Sequence, residues 1–182
     1  KNESAHSRAY RTLLNERSKR IANNLGLDKA STAEVCLSCH AGTVSKERQG
    51  GFFDIADGVG CESCHGGAEN WLGQHVSRRG DHEDNLGLGM YPTDEPFSRA
   101  RLCASCHVGT GEKSVIHRIY GAGHPRLVFE LDTYSANQPA HYRVDSDYKL
   151  RKTHSSGLKL WAFGQVVSAS FMLERLSDVQ YS

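Results

Sequence analysis

One five-residue pattern, Cys-x-x-Cys-His, occurs three times in this sequence of 182 residues. The copies are Cys36–His40, Cys61–His65 and Cys103–His107, called here the first, second and third motifs, and they contain all six cysteines. On a helical turn, thiols three positions apart lie on one side, where they can form thioethers with the two vinyl groups of one haem. The histidine that follows can bind the iron as proximal ligand. The pattern therefore predicts three covalently attached haem c groups.

The motif residues divide into two expected roles. The cysteines expected to attach the haems are Cys36, Cys39, Cys61, Cys64, Cys103 and Cys106. The histidines expected to be the proximal iron ligands are His40, His65 and His107. Loss of one cysteine should weaken attachment, whereas replacement of a proximal histidine should prevent stable folding around it.

Paired cysteines also occur in three kinds of site that fit this sequence less well. A tetrahedral zinc site normally combines two pairs, which would leave the third pair unmatched, and zinc does not require a histidine after each pair. Cysteines three positions apart would close only a very short loop, so they make a poor disulfide framework. A thioredoxin-like redox site carries one such pair within a βαβ pattern, and that pattern is missing here.

Each motif provides one axial ligand, so the opposite face of each haem is either closed by a second side chain or open. Imidazole on both faces suits electron transfer, whereas an open face permits small-molecule chemistry. Seven histidines lie outside the motifs: His6, His75, His82, His117, His124, His141 and His154. His82 and His154 lie in charged or polar stretches, where we expect them to be solvated. Methionine ranks low as a ligand because only Met90 and Met172 are present.

Two amphipathic segments lie at either end of the chain. Apolar residues at helical spacing predict a helix over 5–25, capped by Asn2 or Ser4 and ended by Gly26. A second helix is predicted over 158–178. Its apolar stripe is expected to pack in the core and consists of Leu160, Phe163, Val167, Phe171 and Leu176.

The long middle of the chain, 36–157, shows little periodicity and is rich in Gly, Asp, His and Ser. A stretch this long without regular structure is unusual in a compact domain. Flat apolar porphyrins could replace side chains as the core, and short helices would then pack against them. We therefore expect a mainly α fold with long loops and little or no β-sheet, formed by one trihaem domain over 1–182.

Charge and hydropathy give no sign of nucleic-acid binding or of a membrane-spanning segment. The net charge is +1, from 22 basic and 21 acidic residues, so nothing indicates binding to nucleic acid. The longest apolar run, around 158–167, is interrupted by polar residues, so no transmembrane segment is expected. No secretion signal precedes the first helix, which fits either a mature exported chain or a fragment.

The order of these features resembles the tetrahaem cytochrome c-554 family of ammonia-oxidising bacteria and related multihaem cytochromes. The resemblance is carried by His6 at the start of a helix, the stretch Gly58–Gly66 around the second motif, His75, and the other two motifs. The segment 117–131 and the stretch Gly164–Val167 resemble a longer-chain branch of multihaem cytochromes.

The resemblance implies distal ligands. A histidine placed like His6 would close the haem of the second motif. His117 or His124 would close the other two haems, with His141 in reserve. A histidine placed like His75 would bind a further haem, attached by a motif upstream of the first helix, and that motif is missing here. We favour a lost segment or a haem in a neighbouring subunit over an idle His75.

These features predict an electron-transfer protein in which three haems form a relay. The alternative is a redox enzyme acting on a small nitrogen species at one five-coordinate haem, which would be that of the first motif. The expected partners are redox proteins, with a homo-oligomer or a larger multihaem complex also open. Covalent haem further predicts a periplasmic or extracellular location.

Overall fold

A computed structural model of the chain describes residues 4–77, 80–138 and 155–180. The described residues form helices and loops without a strand, so the prediction of a mainly α fold is confirmed. Single 3₁₀ turns lie at His6–Arg8, Lys46–Arg48 and Ile55–Asp57. The α-helices in these ranges are α1 Ala9–Thr12, α2 Glu16–Leu25, α3 Glu34–His40, α4 Cys61–His65, α5 Leu72–Ser77, α6 His82–Gly87, α7 Pro96–His107, α8 His117–Gly121, α9 Leu131–Asn137 and α10 Gly157–Gln180. His141 and His154 lie outside the described residues.

The helix predicted over 5–25 is broken in two. A new helix, α2, begins after Asn15, whose side-chain oxygen accepts a hydrogen bond of 2.9 Å from the backbone N–H of Ser18. Asparagine is among the best N-cap residues, so this local bond competes successfully with continuation of the first helix. Gly26 ends α2 as predicted, with a φ of 71° that favours glycine.

The predicted C-terminal helix is confirmed as α10, and most of its expected stripe is buried. Leu160, Val167 and Phe171 are buried, but Leu176 is 62% exposed, so its prediction as a core residue is wrong. Position 176 follows Phe171 by five residues, which is about 140° around a helix of 3.6 residues per turn. Its side chain therefore lies on the other side of the helix.

The largest apolar cluster joins α7, α9 and α10. Its buried members are Ala100, Ala104, Val108, Leu131, Leu160, Val167 and Phe171. Leu131 is fully buried, and it approaches α10 at Gly164, where an added Cβ would lie 2.8 Å from the Leu131 Cβ. The cluster also contacts Cys103, so it supports the helix that carries the third motif.

Three smaller clusters lie apart from the first, so apolar contacts in the described ranges are divided among four groups. One, around Leu13, Ala22 and Ala30, contacts Cys36 of the first motif. The others surround Ile21, Leu25 and Ala122, and Ala68, Trp71 and Met90. A divided core is compatible with haems between the clusters, although a haem core stays a prediction. No helix in the described ranges combines the length and apolarity that crossing a bilayer requires.

Candidate functional site

Each motif forms a helical turn that ends at its histidine. The first motif closes α3, the second is the whole of α4, and the third closes α7. The two thiols of each pair therefore lie one turn apart on a helix, as predicted. All six cysteines are free thiols. The described residues contain no group of three or more His, Cys, Asp or Glu side chains arranged to hold a metal ion.

The thiols of different motifs lie close together. Cys39 of the first motif hydrogen bonds to Cys106 of the third. Burial raises the pKa of Cys64 in the second motif, and nearby Cys106 adds to this effect electrostatically. The Nζ of Lys113 lies 3.6 Å from the Cys106 sulfur. The hydrogen bond with Cys39 lowers the pKa of Cys106, and the Lys113 ammonium acts in the same direction. The three attachment sites therefore adjoin one another.

A motif histidine and a distant histidine, His40 and His124, face each other. Their ring centres are 6.4 Å apart and the ring planes are 76° apart. His40 Nδ1 lies 3.1 Å from the carbonyl oxygen of Ala9, and His124 Nδ1 lies 2.7 Å from that of Pro125. A carbonyl oxygen can only accept, so each Nδ1 carries the proton and each Nε2 keeps its lone pair. Metal-binding histidines are typically oriented by such a bond.

The third motif has a similar pair, formed by His107 and His6. Their ring centres are 6.0 Å apart, with ring planes at 75°. Phe129 stacks on His107 at 5.5 Å, and the Tyr134 ring meets its edge at 5.1 Å. Burial lowers the pKa of His107, and the neighbouring His6 adds to this effect. A lowered pKa favours the neutral imidazole of His107, which is the form that binds a metal.

Both separations suit two ligands of one haem iron. With metal–nitrogen bonds of about 2 Å, and a ring centre about 1 Å behind each nitrogen, imidazoles on opposite faces of one metal have ring centres roughly 6 Å apart. Each observed pair joins a proximal candidate to a histidine outside the motifs. The ring separations at the first and third motifs thus match a haem with imidazole on both faces, and in the first pair both Nε2 atoms also keep their lone pairs.

His6 is paired differently from what the resemblance implied. It was expected to serve the second motif, but its ring lies against His107 of the third. The cause is in the backbone, because the His6 carbonyl oxygen accepts a hydrogen bond of 3.0 Å from the N–H of Val59. The side-chain nitrogen of Gln138 lies 3.0 Å from His6 Nδ1 and can only donate, so Nδ1 accepts and a neutral His6 carries its proton on Nε2, unlike His40 and His124. Val59, two residues before the second motif, therefore holds the backbone of His6, while the His6 ring lies against His107 of the third motif.

The remaining candidates are less closely associated with the motifs. His117 is exposed at the start of α8, and His75 is exposed on α5, with its ring edge-on to Trp71 at 5.7 Å. In the described part of the chain neither ring contacts a motif histidine. His82 is half exposed and lies 3.2 Å from a carboxylate oxygen of Asp94. A distal ligand for His65 stays a prediction.

Two residues of α2 that sequence reasoning missed hold the loop before His124. The guanidinium of Arg17 donates two hydrogen bonds, of 3.2 and 3.1 Å, to the carbonyl oxygen of Gly123. The side-chain amide of Asn24 donates one of 3.0 Å to that of Ala122. Roughly a hundred residues separate the partners in sequence, and an arginine on an amphipathic helix carries no signal of such a role.

One part of the chain has a recognisable family likeness. Residues 2–66 match the family described as cytochrome c554 and c-prime, and this segment of 65 out of 182 residues holds His6 and the first two motifs. The match supports a c-type cytochrome with covalently bound haem c and a role in electron transfer. No curated protein and no solved structure matches the chain. The third motif and His124 lie beyond the matched segment, so their assignment depends on geometry.

Proposed function

We propose that this chain is an electron-transfer cytochrome that holds three covalent c-type haems as a relay within one domain. The observation that carries the proposal is the facing pair His40 and His124, in which both Nδ1 atoms bond to carbonyl oxygens and both Nε2 atoms are left as ligands. When bound, each haem iron supplies a one-electron couple. The chain contributes attachment, orientation and closure of the iron faces.

Closure of the faces favours electron transfer over catalysis. The alternative enzyme required an open iron at the first motif, so that a small nitrogen species could bind opposite His40. His124 lies on that side, at the separation of a second ligand. With imidazole at both positions, a substrate would first have to displace His124. The geometry at the first motif therefore favours the carrier.

The arrangement of the thiols supports a relay. Cys39 and Cys106 hydrogen bond to each other, although they belong to attachment sites more than sixty residues apart in sequence. Cys106 also acts electrostatically on Cys64 of the second motif, whose pKa it helps to raise. The chain therefore gathers its three attachment sites in one small region. Centres held this close could exchange electrons without any chemical step at a substrate.

The proposed setting follows from the cofactor. The segment 2–66 resembles a c-type cytochrome family, and proteins that carry covalent haem c are typically exported. We therefore infer a periplasmic or extracellular location and redox proteins as partners. With a net charge of +1, long-range attraction to a strongly charged partner is expected to be weak.

The decisive experiment counts haems and their ligands on the purified holoprotein. Intact mass should exceed that of the polypeptide by three haems, and the double variant Cys61→Ala/Cys64→Ala should lose one of them. Low-temperature paramagnetic resonance of the oxidised protein should show low-spin iron at the first and third motifs. A colourless product with the mass of the polypeptide alone would rule out the proposal.

A ligand-binding measurement separates the carrier from the enzyme. Cyanide or nitric oxide added to the resting holoprotein should leave the absorbance of the first-motif haem unchanged, because His124 closes that face. Rapid, stoichiometric binding at the first motif would overturn the carrier and favour the enzyme. The absorbance that belongs to the first-motif haem is identified by repeating the titration with the double variant Cys36→Ala/Cys39→Ala, which lacks the cysteines that attach this haem.

A further inference from the structure

The C-terminal helix α10 has a second apolar face, opposite the one that packs on α7 and α9. Six large apolar side chains on this face are between 47% and 76% exposed. They are Leu158, Trp161, Val166, Met172, Leu173 and Leu176. A helix that is apolar on both sides normally has a partner on both sides. Exposed apolar surface of this extent typically marks an interaction site.

The spacing of this face is that of a helix-pairing seam. Exposed residues follow one another at alternating intervals of four and three: Leu158, Ala162, Gln165, Ala169, Met172 and Leu176. Alternation of four and three is the heptad repeat, which keeps one stripe of a helix facing a partner helix. The seam covers nineteen residues, so it exceeds two heptads. This pattern indicates that the occupant is another helix.

We propose that the seam pairs with the same seam of a second copy of this chain, in antiparallel orientation about a two-fold axis near Val167. In that register Leu158 faces the partner's Leu176, and the flanking Trp161 faces the partner's Leu173. The two alanines lie opposite longer side chains, since Ala162 faces the partner's Met172 and Ala169 faces the partner's Gln165. Large residues thus meet small ones at the centre of the seam.

The opposite orientation gives a poorer match. In a parallel, in-register pair each residue meets its own copy. Ala162 would then face the partner's Ala162, and Ala169 the partner's Ala169, which would leave gaps. Met172 would face the partner's Met172 in the same layer. Gaps and overpacking both destabilise closely packed apolar contacts, so complementary volumes are favoured. The sequence of the seam is therefore self-complementary only when the second helix is reversed.

The exposed apolar face of α10, which includes the seam and its flanking residues, can form the core of a dimer interface. With 47% to 76% of each exposed, the six large side chains present on the order of several hundred Å² of apolar surface per copy, the extent that marks an interaction site. A standard interface buries about 800 Å² per partner, and homodimer interfaces are more apolar than other surfaces. A helix of 24 residues is about 36 Å long, which suits such an area. The inference is independent of the proposed function.

Sedimentation equilibrium of the holoprotein at micromolar concentrations tests the pairing. We expect a dimer for the natural sequence. Ala169→Glu should weaken association at least tenfold, because the two-fold axis buries the new carboxylate twice. Ser177→Glu is the matched control, since it adds the same charge to an exposed position beside the seam. A monomer at every concentration, or equal association of both variants, would overturn the proposal.

Cross-linking tests the orientation without relying on a disruptive change. In the antiparallel pair Leu158 lies about 27 Å from the partner's Leu158, at 1.5 Å per residue. Leu158→Cys alone should therefore form no disulfide dimer, whereas a mixture of Leu158→Cys and Leu176→Cys chains should form a disulfide-linked heterodimer. A dimer of Leu158→Cys alone, without the mixed product, would contradict the proposed register.

Discussion

Gly58 and His6 are in such close contact that a Cβ on Gly58 would come within 2.7 Å of the His6 carbonyl oxygen. Gly58 also has a φ of 71°, a conformation that side chains of L residues rarely adopt. Position 58 therefore requires glycine, because a side chain there would strain the backbone and clash with His6. It allows the N-terminal turn to lie against the chain while the ring of His6 reaches His107.

The first prediction concerns this contact. Gly58→Ala should lower the free energy of unfolding by about 1 to 3 kcal/mol, since it combines backbone strain with a clash against His6. It should also produce high-spin iron at the third motif, because His6 is displaced. Urea unfolding and paramagnetic resonance would measure the two effects. Gly60→Ala is the control, because Gly60 has an ordinary extended φ of −87° and open space around its Cβ position. Equal effects of the two substitutions would contradict the prediction.

The second prediction compares two distal candidates that the sequence could not separate. His124→Ala should open the iron face opposite His40 and create a cyanide-binding haem. His117→Ala should leave ligand binding unchanged, because His117 is exposed and, among the described residues, its ring contacts no motif histidine. Absorbance titration with cyanide would measure both variants. Cyanide binding to the His117→Ala variant alone would reverse the assignment.

Local patterns were predicted well, because their physical cause is local. The helical turn at each motif follows from the three-residue spacing of its cysteines, and the end of α2 follows from Gly26. The break before α2 was missed, although Asn15 is a strong helix cap, because the apolar spacing on both sides suggested one continuous helix. Leu176 was misplaced because it was counted with the stripe of Phe171, although five residues carry it about 140° around the helix.

Pairing between distant histidines could not be predicted from spacing. His124 is favoured over His117 by the hydrogen bonds from Arg17 to Gly123, which join residues 106 positions apart. His6 faces His107 because its backbone is held by Val59, a contact that no sequence pattern announces. The sequence therefore supplied the set of candidate ligands, and the fold determined which of them meet.

The third prediction concerns pH. Burial lowers the pKa of both His107 and His124, so in the folded chain they are neutral at pH values where the unfolded chain binds protons. Their contribution to the free energy of unfolding is fully present above the pKa of histidine in the unfolded chain, about 6.5. It is lost as the pH falls through the lower pKa values that His107 and His124 have in the folded chain. Binding of iron would act in the same direction, since a protonated imidazole cannot bind a metal.

Unfolding by urea at a series of pH values between 8 and 5 would measure this effect. Each histidine should contribute a slope of up to about 1.4 kcal/mol per pH unit. His124→Gln cannot titrate, so its unfolding free energy should fall less steeply with acid than that of the natural chain. An unchanged slope in His124→Gln would show that His124 is not held neutral by the fold.

The fourth prediction concerns the packing that supports the third motif. A Cβ on Gly164 of α10 would lie 2.8 Å from the Cβ of Leu131, which is fully buried and has no room to move. Gly164→Ala should therefore separate α9 from α10 and destabilise the fold by about 1 to 3 kcal/mol. Gly121→Ala is the control, because it lies in a helix with nothing within 4 Å of its Cβ position. Since alanine favours helix more than glycine does, the control should be neutral or stabilising by about 0.5 to 1 kcal/mol.

The contacts of Cys103 with the same apolar cluster imply that Gly164→Ala should also perturb the third-motif haem. Destabilisation without a spectral change there would mean that the cluster supports the helices but not the haem site.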